Sequence, residues 1–220
     1  MLIRNATAFI GCRFEKGTDL RIMHGKVQEI GSGLCKGLYE SELDLQGDYL
    51  LPGFVDVNVI VPQINNDADG IRSLQTLARS LYRQGVAAFV ATSADVPAEL
   101  LRRFCAHPPV RAARLLSVNH AADVGKDVSL RLNNLGDECP PIGMDEGSAD
   151  GVLQMHDALN HLIHRCHISP ENAVLMTTKN PADAIGEKRF GRLMVGLPAP
   201  LTRWSRGWTM VSAVDEHSAD

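Results

Sequence analysis

The chain has 220 residues, a formal net charge of -4 and an isoelectric point near 6.1, with 45% hydrophobic and 22% charged residues. That length suits one ordinary domain, or one with a small companion, and the composition supports a packed core rather than a disordered chain. A mildly acidic balance without a basic stripe gives no electrostatic basis for nucleic-acid binding, and no apolar run approaches the ~20 residues needed to span a bilayer.

Residues 1–50 alternate short apolar runs with glycine-bearing turns and predict a small β-sheet region. Within it, His24-Gly25-Lys26 separates "DLRIM" from "VQEIG" and predicts a tight hairpin, with Gly25 free to take positive φ. After Pro52-Gly53 the pattern changes. "FVDVNVIV" reads as a continuous apolar strand of the kind buried on both faces. "SLQTLARSLYRQG" predicts an amphipathic helix with Leu74, Leu77 and Leu81 on one stripe and Gly85 as its stop. "VAAFVATSA" predicts a second strand, "VPAELLRRFCAH" a helix opening near Pro97, and "ARLLSVNHAA" a third strand. Strand, helix, strand, helix, strand implies a parallel sheet with right-handed crossovers.

From Asp123 to Ala149 the chain is rich in Gly, Pro, Asn and Asp and reads as a long irregular connection, a length that in compact domains is usually functional or disordered. Two helices are predicted next, "GVLQMHDALNHLIHRCHI" and "SPENAVLMTTKNPADAIG", the second with a Ser169-Pro170-Glu171 N-cap signature. The tail from Arg189 returns to short strands and turns. The five cysteines, Cys12, Cys35, Cys105, Cys139 and Cys166, are odd in number and scattered, which suits free thiols in a reducing compartment. The opening "MLIRNATAFIGC" has too short an apolar stretch for an export signal, so a cytoplasmic location is expected.

These residues resemble the amidohydrolase superfamily, and most closely its N-acetylglucosamine-6-phosphate deacetylases. "LIRNATAF…DLRIMHGKVQEIG…LDLQGDYLLPGFVDV" is similar to the family's N-terminal strands running into barrel strand 1. "LARSLYRQGVAAFVATSADVPAEL" is similar to its helix 1 and strand 2, and "MHDALNHLIHRCHISPENAVLMTTKNPADAIGEKRFGRLMVGLPAPL" to its last helices and the return to the outer strands. The resemblance implies an α/β fold: a truncated (β/α) barrel over residues 51–187, with a small β-sandwich built from residues 1–50 and 188–220. A full eightfold barrel takes ~250 residues, and about three barrel strands can be found here.

Deacetylation of this kind needs a divalent metal to acidify a bound water and polarise the amide carbonyl, and a carboxylate to carry the proton to the leaving amine. The resemblance places Asn58 and Ile60 where barrel strand 1 of the family ends in His-x-His or Gln-x-Asn. Isoleucine has no lone pair to donate, and one neutral amide oxygen holds a transition metal poorly. On one alignment, residues 119–123 fill the family's His-Leu-Glu-Gly-Pro, and Ala121 replaces the metal carboxylate. On a second alignment, Asn119 replaces the catalytic aspartate. His120 and Asp123, near the C-terminal end of a parallel strand where such sheets build sites, are the candidates for a relocated pair. "GSADG" loosely resembles the family's substrate-proximal Gly-Ser-Ser segment, whose glycine and serines are displaced to Asp150, Gly151 and Val152 here.

A histidine cluster, His156, His161, His164 and His167 with Cys166, places His161/His164 and His164/His167 at i,i+3 spacing. Zinc accepts such ligands, but the spacing matches no common zinc signature, and histidine at a helix C-terminus also suits the macrodipole. Arg72, Arg79 and Arg83 mark a basic helix flank read as a solvated face.

The sequence therefore predicts a deacetylase-like protein without catalytic activity, needing no cofactor, with a binding or regulatory role at most. The alternative is a metal-dependent amidohydrolase that removes acetyl from amino-sugar phosphates. It would use zinc or iron, and a second protomer or a partner covering the open sheet edge would complete its site. A remnant left by internal deletion is the third reading. Neither nucleic acid nor membrane is expected as a partner.

Overall fold

The computed structural model describes residues 1–61, 67–93, 97–107, 109–120, 154–216 and 218. They form a mixed α/β protein of two compact units: Met1–Val55 with Ile168–Asp220, and Asp56–His167.

The first unit is built on a seven-stranded sheet contributed by both ends of the chain. Its strands are β1 (Leu2–Ile10), β2 (Arg13–Met23), β3 (Lys26–Gly31), β4 (Glu42–Asp44), β5 (Tyr49–Pro52), β9 (Leu201–Trp204) and β10 (Met210–Val214). The order is β10-β9-β5-β1-β2-β3, with β4 also paired to β1. β1 runs parallel to both β4 and β5, while β5 runs antiparallel to β9, with Tyr49 opposite Trp204. His24 and Gly25 both adopt positive φ (52° and 68°) between β2 and β3, the conformation of a type I′ turn, whose twist matches that of paired strands. One face of the sheet buries Ile3, Ala6, Ala8, Leu20, Ile22 and Leu50 in a shared apolar core. Around Phe14, a set of aromatic contacts joins Phe9, Tyr49 and Trp208, the last two stacked with centroids 4.4 Å apart.

A bulge breaks β1 between Ile3 and Ala6, where Asn5 takes φ 53°. The buried carboxylate of Asp19 holds it there, accepting from the Asn5 and Leu34 N–H groups (3.1 and 3.0 Å) and from the Arg4 guanidinium (3.2 Å). A charge this deep in the fold is tolerated because its oxygens are paired.

The segment predicted as one helix from Ser169 is two, α4 (Pro170–Thr177) and α5 (Lys179–Ala184). The predicted cap is present: Ser169 Oγ accepts the Asn172 N–H at 3.4 Å. The break follows from Pro181, which has no N–H to give the Thr177 carbonyl four residues back. Thr178 takes φ -128° and ψ -83°, and its hydroxyl donates to the Val174 carbonyl. Gly191 (φ 72°) comes so close that a Cβ on it would lie 2.5 Å from the Thr178 carbonyl oxygen.

Asp183 on α5 is gripped by Lys179 and Lys188, each at 2.8 Å, and by Arg192. The lysine hydrogen bonds, with Arg192, hold its carboxyl far below the ordinary 3.8. The stabilisation is therefore fully present above that ordinary value and is lost as pH falls below it. Asp183→Asn is expected to lower the unfolding midpoint in urea at pH 7, and the gap from wild type should narrow steadily from pH 4 to pH 2.

The second unit alternates strand and helix. Its elements are β6 (Phe54–Ile60, entering from the first unit), α1 (Asp67–Arg83), β7 (Val86–Ser93), α2 (Ala98–Ala106), β8 (Arg114–His120) and α3 (Met155–His164). The strands form one sheet in the order β6-β7-β8, and β7 and β8 are parallel, from Ala88 opposite Arg114 to Ser93 opposite His120. In α1, Leu74, Ala78 and Leu81 are buried, a helical stripe in which Ala78 is central and the predicted Leu77 is only half-buried. Gly85, with φ 86°, ends the turn after α1. In β7, every residue from Val86 to Ala91 is buried, as a strand covered on both faces requires.

Candidate functional site

In parallel α/β sheets, chemistry collects at the C-terminal ends of the strands; here these are the ends of β6, β7 and β8. On β6, Asp56 and Val57 are half-buried, Asn58 is exposed and Val59 is buried. The Asn58 N–H donates to Asp56 Oδ1 at 3.0 Å. Burial pushes the Asp56 carboxyl above its ordinary value, and the hydrogen bond from Asn58 opposes that shift. Ile60 closes β6. Asn119 and His120 close β8, opposite Thr92 and Ser93 of β7. Ala121 and Asp123 lie outside the described residues, as do residues 150–152 and Cys139.

The α3 histidines stand apart from these strand ends along the chain. His161, in the last turn, is half-buried; His164 is the final helical residue and is exposed. His167 is exposed three residues further on, with φ 53°. His156 lies in the first turn with its Nε2 3.5 Å from Asp157, and its Nδ1 has no hydrogen-bond partner among the described residues. Among the described residues, no three His, Cys, Asp or Glu side chains gather where they could hold a metal ion. At β6 the described donors are the Asp56 carboxyl and the Asn58 amide. Among the described residues at β6 that set is one carboxyl and one amide, where zinc centres use three or four protein ligands.

Asp56 is the residue the sequence reading passed over, although it lies inside "LPGFVDV". The available signal was an ionisable side chain in the middle of an otherwise continuous apolar strand. Its raised pKa means that the folded state resists ionisation, so the penalty is present above the folded pKa and absent below 3.8. Asp56→Asn keeps an acceptor for the Asn58 N–H and removes the charge. It is expected to raise the melting temperature at pH 7, and the gain should shrink toward zero as pH falls to 3.8.

The sheet shared by both chain ends and the strand–helix alternation make a mixed α/β fold. Among solved structures it is similar to N-acetylglucosamine-6-phosphate deacetylase from Pasteurella multocida, at 12% identity over 98% of each chain and a TM-score of 0.70. It is also similar to the N-acetyl-D-glucosamine-6-phosphate deacetylase of Mycobacterium smegmatis, at 13% identity over 98% of each chain and a TM-score of 0.62. The β-aspartyl dipeptidase of Fervidobacterium islandicum AW-1 follows, at 12% identity over 98% of this chain and 95% of that one, with a TM-score of 0.61. At such identities the likeness fixes the fold alone. No protein-family model and no curated protein matches the sequence.

No described helix is long and apolar enough to cross a membrane.

Proposed function

We propose that this chain is an N-acetylglucosamine-6-phosphate-deacetylase-like protein that keeps the fold of those enzymes without their hydrolytic activity, acting as a binding or regulatory module. The observation that carries the reading is β6. At the strand end where a metal would be gripped, the chain offers Asn58 and Ile60, beside a carboxyl that burial drives toward its neutral form. An amide hydrolase of this type makes its nucleophile by lowering the pKa of a metal-bound water. Isoleucine gives the metal no ligand there. A closed eightfold barrel takes ~250 residues, more than the whole chain, so the α/β unit is read as a truncated barrel.

The test is metal content and acetate release on the purified full-length protein, with N-acetylglucosamine 6-phosphate and added zinc or iron(II). The expected result is sub-stoichiometric metal and acetate release no faster than in buffer. Stoichiometric metal with metal-dependent release would overturn the reading. A second reading, a hydrolase completed by another protomer or a partner, rests on β6 and β8 being the outer strands of a three-stranded described sheet, since unpaired strand edges invite association. It requires activity and metal to appear together in an oligomeric fraction on size-exclusion chromatography.

A further inference from the structure

Helices α1 and α2 frame a groove of about 480 Å³ in the second unit. Its floor is apolar: Ile71 of α1 is half-buried, and Phe104 of α2 is 3% exposed. Its rim is basic, with Arg102 and Arg103 exposed on α2 and His107 exposed just beyond the helix. We propose that this groove docks a short acidic peptide segment of a partner protein, with an apolar side chain entering the floor and flanking carboxylates meeting the two arginines.

The charge argument is local. The chain as a whole is net negative, yet residues 67 to 114 carry seven arginines and no lysine against four carboxylates. A guanidinium presents a planar fork that pairs with a carboxylate through two parallel hydrogen bonds, which a lysine cannot do. The rim does contain one acid, Glu99, 3.2 Å from Arg102. That pair is solvated on both sides, with side chains 74% and 66% exposed, and such pairs hold little energy. An incoming carboxylate can therefore exchange for it.

Size selects the class of partner. A groove of this volume accepts a few side chains, and contacts of that scale belong to weak, transient complexes. A nucleic acid fits less well, because Glu99 would face its phosphates.

The test uses the full-length protein and a fluorescein-labelled synthetic peptide of repeating Glu-Glu-Leu, followed by fluorescence anisotropy at low salt. The Lys-Lys-Leu counterpart and a poly(U) oligonucleotide serve as comparison probes. Saturable binding of the acidic peptide is expected, weakened at least ~10-fold by R102E/R103E and unchanged by Lys16→Glu on β2, with all variants melting as wild type does. Absence of binding, equal binding of the basic peptide, tighter binding of poly(U), or insensitivity to R102E/R103E would each overturn the proposal.

Discussion

Replacing Gly191 with alanine is expected to destabilise the protein by about 2–5 kcal/mol. Two separate costs add. The residue has φ 72°, a left-handed conformation that disfavours any side chain by about 1–2 kcal/mol. The new methyl would also sit 2.5 Å from the Thr178 carbonyl oxygen, 2.7 Å from its carbon and 3.1 Å from the Lys179 nitrogen. All three are backbone atoms at the joint between α4 and α5, and forcing them apart costs about 1–3 kcal/mol. Gly196→Ala is the internal control. Gly196 also has positive φ, at 86°, but among the described residues nothing lies within 4 Å of its Cβ position, so only the conformational cost applies. Urea unfolding of the two variants should differ by the second cost. Equal destabilisation would show that the close approach to Thr178 is not what Gly191 is there for.

Trp204→Ala is expected to cost about 3–5 kcal/mol, the usual range for truncating a large buried aromatic. Trp204 is fully buried on β9 and meets Phe54 edge-on with centroids 6.0 Å apart. Its indole N–H donates to the Thr202 hydroxyl at 2.9 Å, and Thr202 is 1% exposed. Trp204→Phe separates the contributions: it keeps much of the apolar volume and leaves that hydroxyl without the indole. A buried polar group left unpaired costs about 1–3 kcal/mol, whereas removing both partners is nearly neutral. A T202V/W204F double variant should therefore recover part of the loss from W204F in thermal melts. A double variant less stable than W204F by the full cost of T202V would contradict the pairing.

What the sequence makes legible is local. The turn at Gly25, the helix stop at Gly85 and the cap at Ser169 are each dictated by one residue's backbone preference or short side chain, and each is found where the pattern places it. Strands read from alternation and from continuous apolar runs, as at Val86–Ala91, are equally clear. The break at Thr178 is signalled by Pro181, which the single-helix expectation passes over, whereas the close approach of Gly191 arises by tertiary packing that no local pattern reports. Asp19 is opaque for the same reason, since its ligands come from positions 14 to 15 residues away on other elements. At the strand ends, the resemblance named Asn58 and Ile60, but it did not name Asp56. A carboxyl is displaced from its ordinary titration by surroundings, and alternation along one strand does not report those.

Seven-stranded pairing between the two ends of the chain constrains how the protein can be made. β5 gains its antiparallel neighbour only when residues 201–204 have been synthesised, about 150 positions after Tyr49 itself. A ribosome-bound chain thus carries a half-finished sheet with a bare hydrogen-bonding margin for most of its synthesis, and margins of that kind recruit other extended segments. Pairing across so long a loop carries a larger closure entropy than pairing across a hairpin. The β5 edge is thus among the last parts of the first unit to be covered.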